Sequence, residues 1–254
     1  MRCAILASGS SGNATVIEAG GTSVLIDCGL SVRRLEKRAL ELDFLLSGLS
    51  GIVVTHEHGD HIGGVATLAR RYSIPVYMTR GTCIASSFSD QREVDVHEIS
   101  AHEPFQVDAL KLLPAPVPHD AREPCQFVVE HDSARIGVLT DFGSETRHIQ
   151  QHFSECGVLI LEFNHDIKML SDCPYPDSVK ARIAGNHGHF NNQQAQELLG
   201  KLLSVQTRHV FAAHISARAN STELVQDILQ TSLAGTGINW GVAYQDRVTP
   251  WVTV

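Results

Sequence analysis

Short apolar runs bounded by glycine and polar residues dominate the first half of the chain, a length that suits strands rather than helices. Residues 4–7, 14–18 and 23–27 read as strands, the last two joined by a hairpin turn at Gly20-Gly21. Ser31 is placed to cap a helix running through 38 to about 42. The run GIVVT, residues 51–55, predicts a buried strand that leads straight into a group of histidines. A helix over about 61–71 and a strand over 74–78 follow, and 107–115, 126–130 and 135–140 continue the sheet. Beyond that the periodicities alternate: a strand at 158–162, a helix at 191–203, a strand at 209–213 and a helix at 222–229. Such mixing predicts a layered α/β architecture in one domain spanning 1–254. No internal repeat, low-complexity tract or Pro/Gly/Ser linker interrupts it.

Composition narrows the class. With 254 residues, 43% of them hydrophobic and 19% charged, the chain can bury a substantial core and does not fit a disordered or fibrous protein. No apolar run reaches the roughly 18 residues that span a bilayer, so no membrane association is expected. The apolar stretch at 4–7 is too short for a secretory core, which makes the cytoplasm the expected location. Twenty Lys and Arg against 28 Asp and Glu give a net charge of −8. Binding to a polyanion would therefore need a local basic patch or metal ions. The six cysteines are scattered without a CxxC pair, which excludes a zinc ribbon and predicts reduced, buried thiols. Histidine departs from the ordinary: there are 14, unevenly placed.

Four of the ligand-type residues fall in THEHGDHIGG, directly after the 51–55 strand: His56, His58, Asp60 and His61. In an extended turn, residues two apart point the same way, so His56 and His58 can share one metal. Asp60 and His61, past the bend at Gly59, can face a second. The helix that starts there leaves N-terminal amides facing the site, which suits an anion. A zincin helix is excluded, because Asp60 occupies the position where HExxH needs its second histidine. His119 in APVPHD, Asp141 in GVLTDFG and His214 in HVFAAHIS stand at or just past the ends of apolar strands, where α/β enzymes collect site residues. A lone histidine at a strand end is more often structural than a ligand; four ligand types in six residues weaken that view.

At this point the chain resembles the metallo-β-lactamase superfamily, whose signature is HxHxDH followed by a distant His, an Asp and a final His. The resemblance implies an αββα sandwich with the site along one edge of its paired sheets. It implies that His56, His58 and His119 hold one metal, that Asp60, His61 and His214 hold the other, and that Asp141 bridges. The segments LASGSSGNATVIEAGGTSVLIDCGLS, EFNHD, PYP, GNHGHFNN and HISARAN resemble more narrowly the WalJ (YycJ) branch, associated with 5′-to-3′ exonuclease activity on duplex DNA. The branch's usual tail, HLSxENN, is HISARAN here, so Arg218 stands for a glutamate and Ala219 for an asparagine. Phosphonate-pathway cyclic phosphodiesterases of the same superfamily are the nearest competitor.

Two divalent cations, Zn or Mn with Fe also compatible, would acidify a shared water to a hydroxide nucleophile and neutralise charge on a phosphodiester. Asp60 can orient that nucleophile or take its proton. His165, His187 and His189 are the non-ligand histidines considered for the leaving group: His165 and His189 as general acids, His187 as a phosphate contact, each against a structural role. Ser11 and Asn13, in a turn of small polar residues, could offer backbone N–H groups to a phosphate, or simply form a hairpin loop. Ser216, two residues after His214, could bind a phosphate oxygen or cap the strand end. Arg33, Arg34, Lys37 and Arg38 could contact a nucleic-acid backbone, or form a solvated helix face paired with Glu36 and Glu41. The expected activity is a dinuclear metal phosphodiesterase on DNA ends. The alternatives are a small-molecule hydrolase of the same fold, acting on a cyclic phosphodiester, lactone or thioester, and a non-catalytic metal-binding protein, which the seven ligand positions oppose. The sequence is compatible with an oligomer.

Overall fold

Alternation along a strand sorts side chains onto two faces, and here each face meets its own core. The computed structural model describes residues 1–88 and 93–254. The chain begins with β1 (Arg2–Ala7), β2 (Ala14–Ala19), β3 (Thr22–Ile26), α1 (Val32–Leu40), β4 (Gly51–Val53), α2 (Gly59–Ile62), α3 (Val65–Tyr72), β5 (Val76–Thr79), α4 (Arg80–Ala85) and β6 (Val96–Ile99). It continues through β7 (Phe105–Val107), β8 (Leu110–Pro116), β9 (Cys125–His131), β10 (Ala134–Leu139), α5 (Arg147–Phe153) and β11 (Val158–Glu162). The last part comprises α6 (Ile167–Asp172), α7 (Asp177–Ile183), α8 (Asn192–Leu202), β12 (His209–Ala213), α9 (Thr222–Ser232), β13 (Asn239–Val242) and β14 (Val252–Thr253).

One sheet has the order β14-β1-β2-β3-β4-β5-β6 and the other β13-β12-β11-β10-β9-β8-β7. In each, an antiparallel meander gives way to parallel strands, at β3 in the first and β10 in the second. In β3, Val24 and Ile26 join the core between the sheets with Phe127, Val129 and Ile160, while Leu25 turns outward to Leu35 of α1 and Leu68 of α3. In β12, Phe211 points inward, and Val210 and Ala212 pack outward with Leu198 of α8 and Leu229 of α9. The arrangement is a four-layer αββα sandwich. Because both faces of the parallel strands are covered, GIVV and VLILE are continuous apolar runs rather than alternating ones.

Two expected elements differ. The helix over 61–71 is broken into α2 and α3, because Gly63-Gly64 passes tight against the β3–α1 connection. The Gly64 N–H donates to Cys28 O at 2.7 Å, and a Cβ there would lie 2.1 Å from Leu30 O. The strand over 107–115 is a hairpin instead: Asp108 adopts a left-handed φ of 46°, folding Val107 back onto Leu110. All six cysteines are buried and none forms a disulfide. Among the described residues, no helix is long and apolar enough to cross a membrane.

Candidate metal centre

The parallel strands of both sheets end at one edge, and the ligand-type residues emerge there. β4 delivers the 56–61 segment, while His119 follows β8, Asp141 follows β10 and His214 follows β12. His56, His61, His119, Asp141 and His214 are buried, whereas His58 and Asp60 are half-buried toward the opening. His56 Nε2 lies 3.0 Å from His58 Nδ1, which is 3.3 Å from His119 Nε2. On the other side, Asp60 Oδ2 is 3.5 Å from both His61 Nε2 and His214 Nε2. Asp141 lies between them, with Oδ2 3.3 Å from His61 Nε2 and Oδ1 3.2 Å from His214 Nδ1. Potential ligand atoms of His56, His58 and His119, of His56, His61 and Asp141, and of Asp60, His61 and His214 each lie within 4.8 Å of one another. The structure thus brings all seven positions together.

These donors fit divalent cations. Burial pushes His56 well below, and His119 below, the ordinary imidazole range, so their ring nitrogens keep lone pairs to offer. Asp141 Oδ2 is buried and, among the described residues, makes no well-aligned hydrogen bond, an oxygen aimed into the cluster beside His61 Nε2. Burial opposes charge on Asp141, but the adjacent His214 and His61 outweigh it and hold the carboxyl well below its usual range. A nitrogen and oxygen donor set without sulfur suits Zn, Mn or Fe. Backbone strain collects at the same edge: Asp27, Asp141 and His214 adopt left-handed φ values of 60°, 54° and 53°. Such conformations cost about 1–3 kcal/mol each in a non-glycine residue.

Sequence reasoning passed over two carboxylates that orient this cluster. Asp27, just after β3, accepts from His61 Nδ1 at 2.7 Å and from the Thr55 hydroxyl at 2.8 Å. Glu162, the last residue of β11, is fully buried, with Oε1 2.8 Å from His214 Nδ1 and 2.9 Å from His189 Nδ1. Burial opposes its charge, yet His189 and His214 bring it down to about 2. A carboxylate on the far nitrogen fixes the ring and directs Nε2 at a cation. The available signal was a charged residue closing an otherwise apolar strand, in SVLID and VLILE alike.

The remaining candidates separate. His189 joins the cluster, its ring 5.2 Å from that of His119 and 5.3 Å from that of His214. His165 is buried outside the ligand groups: burial pushes it down to about 4, and among the described residues its Nδ1 has no hydrogen-bond partner. His187 is exposed, and its carbonyl accepts from the Asp120 N–H. Asn13 is tied to the centre, Nδ2 lying 3.3 Å from Asp60 Oδ2 and 3.1 Å from His61 Nε2. The amides of the 11–13 turn are already taken: Ser11 donates to Gln245 Oε1, Gly12 to Gly9 O and Asn13 to Asp60 O. The Ser216 hydroxyl accepts from the Ala219 N–H at 3.1 Å, a local turn. Downstream, Arg218 lies 5.5 Å over the Tyr175 ring, and Ala219 is buried beside Leu170 and Cys173.

Residues 22–215 match the beta-lactamase superfamily domain. The chain belongs to the metallo-β-lactamase superfamily. Exodeoxyribonuclease YycJ of Bacillus anthracis is 30% identical over 248 residues, covering 95% of this chain and 92% of the relative. Exodeoxyribonuclease WalJ of Streptococcus pneumoniae serotype 2 (strain D39) is 29% identical over 258 residues, covering 97% and 95%. The metallo-β-lactamase fold protein YhfI of Bacillus subtilis superimposes with a TM-score of 0.73 at 14% identity, covering 98% of both chains. As a metallo-β-lactamase superfamily member the protein is a metal-dependent hydrolase, and the clustered positions 56 to 214 fall inside the matched segment.

Proposed function

We propose that the protein is a two-metal phosphodiesterase that removes nucleotides from DNA ends in the 5′-to-3′ direction. The observation that carries the DNA reading is the near-full-length similarity to a curated exodeoxyribonuclease, 95% of this chain against 92% of that one. In this reading His56, His58 and His119 hold one cation, Asp60, His61 and His214 a second, and Asp141 reaches both. Bound there, divalent cations supply Lewis acidity: they acidify water to a nucleophile near neutral pH and offset charge on the phosphate.

The chain's own residues do the rest. Asp60, with its side chain 23% exposed, orients the attacking water and accepts its proton. Glu162 fixes His189 through Nδ1, leaving Nε2 as the ring nitrogen that can give a proton to the departing sugar oxygen. Burial disfavours a proton on His189, but Glu162 outweighs it and raises the ring above the ordinary imidazole range. His165, held neutral by burial, is poorly suited to the same task. Of the two histidines, His189 is therefore assigned as the acid. Asn13 steadies Asp60 and His61, while Ser11, Ser216 and His187 are left for outer contacts with the strand.

A substrate panel tests this. Zn- and Mn-loaded protein is offered end-labelled duplex DNA, single-stranded DNA, RNA, cyclic nucleotides, a lactone and a glutathione thioester. Progressive nucleotide release from the 5′ end of DNA is expected. Turnover confined to cyclic phosphodiesters, lactones or thioesters would replace this reading with a small-molecule hydrolase.

A further inference from the structure

The surface beside the cluster is basic although the protein carries a net charge of −8. Arg34, Lys37 and Arg38 recur at i, i+3 and i+4 on α1 and so share one helix face. That face lines an open hollow of about 460 Å³ together with Ser11 and Gln245, and Glu41 and Asp246 are the two acids in the same lining. Glu36, the acid inside the basic run, is drawn away: Arg71 holds it at 3.1 Å and the Tyr72 hydroxyl donates to it at 2.6 Å. Among the described residues, none of the three cations forms an ion pair within 4.0 Å; Arg38 instead donates to Leu6 O at 3.0 Å. Arg34 and Lys37 are exposed.

A single loop joins this hollow to the chemistry. Ser11 lines the hollow, and Asn13, two residues on, contacts Asp60 and His61. Two residues of chain span at most about 7 Å. Gln245, also in the lining, clamps the loop from its other side, accepting from the Ser11 N–H at 2.7 Å and donating to Gly12 O at 2.8 Å. The hollow therefore begins about 7 Å or less, along the chain, from the residue that touches Asp60.

Building on the nuclease reading, we propose that the α1 hollow holds non-scissile phosphates of the substrate strand through Arg34 and Lys37, with Arg38 completing its basic wall. Forked guanidinium and point-charge ammonium groups both suit phosphate oxygens, and they grip a strand without reading its sequence. The hollow gives an acidic protein the local positive surface that a polyanion needs.

The test measures steady-state cleavage of a 5′-phosphorylated duplex across a salt series, using Arg34→Gln, Lys37→Gln and their combination in the full chain. Each single variant should raise KM and flatten the plot of log(kcat/KM) against log[salt] by about 0.7–0.9. The combination should raise KM about tenfold at physiological salt with kcat retained, while the charge-conserving pair Arg34→Lys and Lys37→Arg restores the wild-type slope. Arg147→Gln, an exposed cation on α5 across the sandwich, should behave as wild type. Wild-type KM and slope in the combined variant, or an equal effect in Arg147→Gln, would overturn the proposal while leaving the nuclease reading standing. A wild-type protein that cleaves no DNA overturns that reading, and this proposal with it.

Discussion

Glu162 has no solvent exposure, yet it carries two histidines, His189 and His214, on one carboxylate oxygen. That sharing divides labour between them: His214 turns Nε2 toward Asp60, and His189 remains at the mouth, its side chain 17% exposed. Replacing His189 with Ala should lower turnover on DNA by about 10²–10⁴-fold, the usual contribution of a positioned acid, with metal content unchanged. The loss should shrink on a nitrophenyl phosphodiester, whose leaving group departs without a proton. An equal loss on both substrates would make His189 a phosphate contact rather than an acid. The same carboxylates govern metal uptake. Burial opposes a proton on His214, but Asp141, Asp60 and Glu162 together raise it to about 10; burial opposes one on His61 too, but Asp141 and Asp27 hold it well above the ordinary imidazole range. Cation ligation needs neutral imidazoles, so binding at pH 7 must expel these protons. Apparent affinity should climb as pH rises from 6 toward 9, and calorimetry in buffers of different ionisation enthalpy should register proton release. A pH-independent affinity would contradict the pairing. The seven ligand-type residues were legible because they match the HxHxDH, His, Asp, His pattern at strand ends; Asp27 and Glu162 also close apolar strands but fall outside that pattern, and the histidines they orient lie 34 and 52 residues away along the chain.

At the scale of elements, the centre depends on how closely the β3–α1 connection packs on α2. A Cβ at Gly29 would lie 1.7 Å from Asp60 O, an overlap that only backbone movement relieves. Gly29→Ala should therefore displace Asp60, weaken metal binding at Asp60, His61 and His214 and lower stability by about 2 kcal/mol or more, measured by denaturant unfolding with and without metal. Wild-type stability and metal affinity in that variant would show that the loop is slack. Similar close packing explains why the helix over 61–71 could not be read as broken: Gly63-Gly64 looks tolerable in a helix until Cys28 and Leu30 are brought against it. The hairpin at Asp108 was hidden because its left-handed residue is not a glycine. The edge strands β6, β13 and β14 were passed over for a different reason. They are short and only partly buried, so their sequences lack the continuous apolar run that marked β4 and β11.

The whole molecule is two sheets, each supplying half of a site that neither could form alone. The first sheet's edge brings His56, His58, Asp60 and His61, and the second brings His119, Asp141, Glu162 and His214. The core between the sheets, with Ile26 and Phe127 among its residues, therefore fixes the spacing of the two ligand sets as well as the fold. Asp141 is the residue placed to touch both, which makes metal stoichiometry the most direct measurement of the central claim. Protein stripped of metal and dialysed against Mn or Zn should take up close to two equivalents per chain, and Asp141→Ala should lose affinity at both positions. Saturation of the wild type at one equivalent or none, or an Asp141→Ala protein that binds as the wild type does, would contradict the two-metal account.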